Sequence, residues 1–271
     1  MRRLLLILSL LLAPCSALLS GPFFFGQQGV VSQQSSSAGF NPDDYISSRV
    51  WLAARRETAY SDGASVETPN NYSPAGITVT QATSSKRPTY KTAVLGGQNA
   101  FRFDGVDDTL QAASTTINQA NGITLIMVSK CLNGAKPAFI EQGSNASSSP
   151  GFYVYGTTAS TAQKYAGAGY QYVNATSSSW LSTDTAVVVV AWRSDGSFSI
   201  WKNGTAVALN ATGTVGSYSA GSVSDVINIM SRNGASLLSN ADLAELVIGE
   251  GEVDSTDVAD IQTKLGGIYG L

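Results

Sequence analysis

The sequence predicts an all-β chain, an antiparallel two-sheet β-sandwich with a short C-terminal helix. Strand-like runs recur at short intervals, separated by Gly-containing turns. The composition is 43% apolar and only 13% charged, enough for a large core under a Ser/Thr/Asn/Gly-rich surface. A helical period appears once, near the end. No fixed repeat is visible, which argues against a solenoid or a propeller.

Taken in order, the chain opens with Arg2-Arg3, an apolar run from Leu4 to Ala13, and the small residues Cys15-Ser16-Ala17. That is the pattern of an export signal over residues 1–17, and the apolar run is shorter than the ~20 residues of a spanning helix. Residues 18–48 read as a low-complexity linker rich in Gln and Ser, too polar to offset its ordering entropy. Phe23-Phe24-Phe25 is its apolar exception, which either packs onto the folded domain, the favoured reading, or marks a small docking surface for a partner; the domain is assigned to residues 49–271.

The central stretch is FRFDGVDDTL, residues 101–110. Phe101 and Phe103 alternate with Arg102 as on a strand with one buried face, and Asp104-Gly105 supplies a turn. Turn chemistry alone explains Asp104. Asp107 and Asp108 are the candidate metal ligands, since clustered carboxylates suit calcium, although the loop is too short to fill a calcium shell alone. A structural corner is the plainer reading and calcium the alternative, and no cofactor is otherwise expected.

Further strands are expected at Ile77–Gln81, Thr109–Ala112, Ile123–Lys130, Ala138–Glu141, Phe152–Tyr155, Thr185–Trp192, Phe198–Lys202, Ala206–Leu209, Val226–Met230 and Leu243–Ile248. The turns Ser194-Asp195-Gly196 and Asn203-Gly204 join three of them into a meander. Asp254 or Ser255 caps the helix, Val258, Ile261 and Leu265 form its apolar stripe, and Gly266-Gly267 is expected to stop it.

Several of these stretches resemble a known family. FDGVDD, preceded by Arg87-Pro88-Thr89-Tyr90 and by Gly96–Arg102, resembles LamG-like jelly-roll domains of the concanavalin A-like lectin/glucanase superfamily. Val50-Trp51-Leu52, Gln81-Ala82-Thr83, the SDGSFSIWKNGTAV hairpin and the ending Ile268-Tyr269-Gly270-Leu271 fall in the family's order. Ala53-Ala54-Arg55 stands where family members often carry an Asp. The resemblance implies a jelly roll over roughly residues 49–271 and a carbohydrate-binding or glycan-cleaving role.

The chemistry of the chain narrows that choice. It contains no histidine, and Cys131, left alone once Cys15 leaves with the signal, reads as a buried hydrophobe. Glycoside hydrolysis needs two carboxylates, and Glu245, Glu250 and Glu252 are the nearest candidates. Val247 and Gly249 hold the positions that follow Glu245 on its face, and Gly249 and Gly251 suggest a loop around Glu250 and Glu252, so solvated acids near a strand end are the plainer reading. Residues 151–180 carry Tyr153, Tyr155, Tyr165, Tyr170, Tyr172 and Trp180 among Gly, Ser, Thr and Ala. Aromatic rings stack on the C–H faces of sugars, and Tyr adds a hydroxyl. Trp201 follows inward-facing Ile200, so it is expected to point outward and join that platform; covering of sheet edges is the alternative for any one ring. The carbohydrate-binding residues expected are thus Tyr153, Tyr155, Tyr170, Tyr172, Trp180 and Trp201.

The net charge of −3, without a basic cluster beyond Arg55-Arg56, argues against nucleic acid and anionic membranes. Asn-x-Ser/Thr triplets at Asn71, Asn145, Asn174, Asn203 and Asn210 are expected by chance in so Asn/Ser/Thr-rich a chain. The reading is an exported, extracellular or cell-surface domain that binds a glycan or glycosylated surface without catalysis. The second reading is a structural or adhesive protein of a cell envelope or virion with protein partners, and the third a polysaccharide-degrading enzyme.

Overall fold

The apolar runs ITLIMVSKC, AVVVVAW and NADLAELVIGE do not alternate with polar residues, and each forms a strand buried on both faces. That fact organises the architecture, seen in a computed structural model that describes residues 39–133, 139–143, 151–155, 161–166, 169–175, 183–215 and 219–271. The expected export signal, linker residues 18–38 and Trp180 lie outside the described residues.

The strands are β1 (Ser47–Ala53), β2 (Val79–Thr80), β3 (Thr89–Leu95), β4 (Gln98–Asp104), β5 (Leu110–Asn118) and β6 (Ile123–Cys131). Then come β7 (Phe139–Gln142), β8 (Gly151–Tyr155), β9 (Thr161–Ala166), β10 (Gly169–Ala175) and β11 (Ala186–Trp192). The last are β12 (Phe198–Lys202), β13 (Thr205–Ala206), β14 (Leu209–Val215), β15 (Ser222–Ile229) and β16 (Asn240–Glu250), followed by helix α1 (Ser255–Tyr269).

They build two antiparallel sheets. Sheet A runs β13-β12-β11-β6-β16-β4-β3, with β1 also paired to β16; sheet B runs β14-β10-β9-β8-β7-β15-β5-β2. The two faces meet over a core that includes Phe101, Phe103, Leu125, Phe152, Trp192, Ile227 and Leu246. The chain is therefore an all-β sandwich, as expected. Val207-Ala208, inside an expected single strand, instead link β13 on the edge of sheet A to β14 on the edge of sheet B.

The outer face of sheet A is covered, which explains the doubly buried strands. A second core joins Ile126, Val128, Val187, Val189 and Val247 to Val258, Ile261, Leu265 and Tyr269 of α1, and to Phe40 and Ile46. The folded unit thus begins before residue 49. Phe40, Pro42 and Ile46 are buried, and Phe40 packs edge-on against Trp51 at 6.2 Å.

Helix α1 starts with a capping box: Asp254 accepts from Thr256 N and Asp257 N, while Asp257 accepts from Asp254 N. The expected stop at Gly266-Gly267 does not occur. Each glycine costs a helix about 1 kcal/mol, but packing of the apolar stripe through Tyr269 overrides it, and Gly270 ends the helix at φ 69°. Among the described residues no helix is long and apolar enough to cross a membrane.

Candidate functional site

The second core includes no described residue of sheet B. Inward residues Ile140, Phe152, Val154, Ile227 and Ile229 belong to the core, so alternation sends Glu141, Tyr153, Tyr155 and Asn228 outward. Strand register aligns eight residues in one rung across the sheet: Thr80, Gln111, Asn228, Glu141, Tyr153, Gln163, Tyr172 and Gly213.

Tyrosines stand at the other end of the rung. Tyr153, Tyr155 and Tyr172 are each half-buried. Tyr153 and Tyr172 are two strands apart, about 10 Å at the usual strand spacing. Gly213 closes the rung for a steric reason: a Cβ there would lie 3.0 Å from Tyr172 Cε1 and 3.1 Å from its hydroxyl. The phenol ring lies across β14 in the space the glycine leaves. Tyr170 is two residues from Tyr172 on β10 and pairs with Tyr165.

The middle of the rung, Asn228 and Glu141, is fully buried and hydrogen-bonded. Gln111 Nε2 donates to Asn228 Oδ1 at 2.9 Å, and Asn228 Nδ2 donates to the Gly143 carbonyl at 2.9 Å. Glu141 has no solvent exposure; it accepts from Asn233 N at 2.8 Å and lies 3.8 Å from Arg232. The β15–β16 connection thus folds over this end of the rung as a wall. Sequence reasoning missed Glu141, Asn228 and Arg232, although Glu141 directly after Phe139-Ile140 and Asn228 inside the apolar run VINIM were available signals for the first two.

Trp201 does not join this face. It points away from the inter-sheet core, as alternation requires, but the outward side of sheet A lies under α1, and the ring is 7% exposed in the second core. Arg193 stacks its guanidinium 5.8 Å from the ring centroid. A sugar needs an open ring face, so the platform assignment of Trp201 is corrected.

The carboxylates of β16 are occupied elsewhere. A bulge between Leu243 and Glu245 against β6 puts Ala244 and Glu245 together on the outer side of sheet A. There fully buried Glu245 accepts from Trp51 Nε1 at 2.8 Å, Tyr269 Oη at 2.8 Å and Arg55 Nε at 3.1 Å. Burial works against the charge on Glu250, but Arg49 at 2.8 Å and Asn121 at 2.8 Å outweigh it and hold its carboxyl below the usual range. Glu252 accepts from Ser194 N at 2.6 Å. Cys131 is buried.

At the acidic corner, one ligand oxygen from each of Asp104, Asp107 and Asp108 lies within 4.8 Å of the others. Asp104 Oδ1 accepts from Val106 N, Asp107 N and Asp108 N, the bonding of a tight turn. Burial, then the charges of Asp104 and Asp107 against a bond from Asp104 N, pushes the Asp108 carboxyl up to about 6. Turn bonding accounts for the corner, which offers three carboxylate oxygens, fewer than the six or more that calcium takes.

No family model and no curated protein matches the chain. Solved structures match in fold. The binding domain of Paraclostridial Mosquitocidal Protein 1 aligns with a TM-score of 0.57 at 8% identity over 83% of this chain and 53% of that one. The receptor binding domain of botulinum neurotoxin D gives 0.53 at 10% identity over 81% and 53%. Trypanosoma rangeli sialidase in complex with sialic acid gives 0.52 at 11% identity over 82% and 33%. The chain spans about half the length of the two toxin domains and a third of the sialidase.

Proposed function

We propose that the chain binds carbohydrate through the outer face of sheet B, around Tyr153, Tyr155 and Tyr172, as an exported protein without a catalytic step. The observation that carries this reading is the placement of the Tyr172 ring over Gly213, in rung with half-buried Tyr153 about two strand spacings away. Two rings so spaced match every second sugar of an extended chain, offering C–H stacking and phenolic hydroxyls together. Tyr170 and Trp180 extend the same segment of sequence.

The fold likeness to a toxin binding domain and a toxin receptor binding domain supports a binding role. The order of FDGVDD, RPTY and the Asn203-Gly204 hairpin supports reading the sandwich as a LamG-like member of the concanavalin A-like superfamily. The glycan partner belongs to an extracellular or cell-surface setting. A glycan-array screen of the full chain tests the proposal: retention of defined glycans is expected, and an array with no signal above a tag-only control overturns it.

A further inference from the structure

We propose that the loop end of the sandwich where β15 hands over to β16 docks a protein partner whose contact patch is basic around an apolar centre. The surface is distinct from the tyrosine face and independent of the carbohydrate reading.

Asn240 gathers it. Asn240 pairs with Asp104 across β4, its Nδ2 donates to the Asp104 carbonyl at 3.0 Å, and its own carbonyl accepts from Leu132 N at 2.9 Å. One residue therefore fixes the starts of the β4–β5 and β6–β7 connections beside the end of the β15–β16 connection. Each presents one large apolar side chain to solvent: Val106 at 69% exposure, Leu132 at 40% and Leu237 at 39%. The remaining large exposed hydrophobic among the described residues is the last residue, Leu271. Scattered surface hydrophobics need no explanation, but these three lie on connections whose ends Asn240 holds together at one end of the sandwich.

The backbone maintains the presentation. Met230, Asn233 and Leu237 all hold positive φ, at 62°, 51° and 48°, which a non-Gly residue adopts only when its surroundings impose it. Arg232 N donates to the Ser236 carbonyl and Ser236 N to the Arg232 carbonyl, while the Thr109 and Ser231 hydroxyls bond. These contacts brace Leu237 outward.

Charge selects the occupant. Val106 stands between exposed Asp104 and half-buried Asp107, and among the described residues neither acid has a cation within 4 Å, while Asp108 is buried and accepts from Asp104 N. Arg102 is committed to Asp242 at 2.7 Å, and Arg232 faces Glu141. An apolar patch flanked by uncompensated carboxylates complements Lys/Arg-rimmed protein and repels anionic lipid. Apolar anchors with a charged rim are the usual anatomy of such contacts.

The test is selection of a random-peptide display library on the immobilised full chain. Enriched peptides should carry Lys or Arg flanking an aliphatic or aromatic residue. Their affinity should fall about tenfold or more for Val106→Ser with Leu237→Ser, several-fold for Asp107→Asn, and further as salt rises. It should be unchanged in Tyr172→Ala, which separates this surface from the glycan face. If the double variant melts early, Val106→Ser alone, in an exposed turn, serves in its place. Enriched peptides that bind the variants equally, a selection without a basic-apolar consensus, or Val106-dependent pelleting with phosphatidylcholine–phosphatidylserine vesicles would overturn the proposal.

Discussion

Tyr269 donates its hydroxyl to Glu245 Oε2 at 2.8 Å, and that bond ties the end of the last helix to the middle of sheet A. Trp51 and Arg55 complete the shell around the same carboxylate, so β1, β16 and α1 share one buried charge. Burial first, then the charge of Glu245, pushes the Tyr269 hydroxyl above the ordinary tyrosine range, so it stays a donor. The main chain closes the arrangement at Gly96, φ 57°, where a Cβ would sit 1.8 Å from the Tyr269 carbonyl oxygen.

Removing the bond should be costly and removing the charge more so. Tyr269→Phe is expected to lose about 1.5–3 kcal/mol, the range for hydrogen bonds to charged groups. Glu245→Leu leaves Arg55 partly buried without its carboxylate and should lose about 3–5 kcal/mol. Urea melts check both; equal small losses would mean that Glu245 is not a hub.

Trp201→Ala is expected to destabilise the fold by about 3–5 kcal/mol, because the ring fills the space between sheet A and α1. A thermal melt matching that of the unsubstituted chain would restore Trp201 as a surface residue.

The Asp108 carboxyl gives a pH-dependent prediction. Its folded value of about 6 lies above the ordinary 3.8, so the folded chain holds this proton to higher pH than the unfolded chain. The group's contribution to stability is full below the unfolded value, declines between about pH 4 and 6, and is lost above. Discounted for solvent screening, the swing is about 1–2 kcal/mol. Asp108→Asn should therefore melt higher than the unsubstituted chain at pH 7.5 and alike at pH 4. Chelation is expected to shift Tm by no more than about 1 °C. A larger drop, abolished by Asp107→Asn with Asp108→Asn, would make the corner a calcium site.

Particular residues show how far the sequence could be read. Phe101 and Phe103 alternate cleanly, and so do Tyr153 and Tyr155, because each strand has one core face and one polar face. The misreading of Trp201 has the opposite cause: alternation tells inward from outward but not whether a second layer covers the outward side. Strand β5 was seen only as far as Ala112, since its continuation Ser114-Thr115-Thr116 carries little hydrophobic signal. Strands β9, β10 and β14 were hidden among Gly, Ala and Thr for the same reason. Glu245 was placed on the right strand, but a bulge, which leaves no periodic trace, decides where it points.

The sugar-binding claim itself turns on Tyr172. Calorimetric titration of a glycan retained on the array should show Tyr172→Ala weakened several-fold to about tenfold, from the roughly 0.5–1.5 kcal/mol that a stacking ring adds beyond its area. Gly213→Val should weaken binding similarly, by pushing the ring from its seat, and both variants should keep Tm nearly unchanged. Unaltered affinity in both would contradict the account and remove the outer face of sheet B as the binding surface.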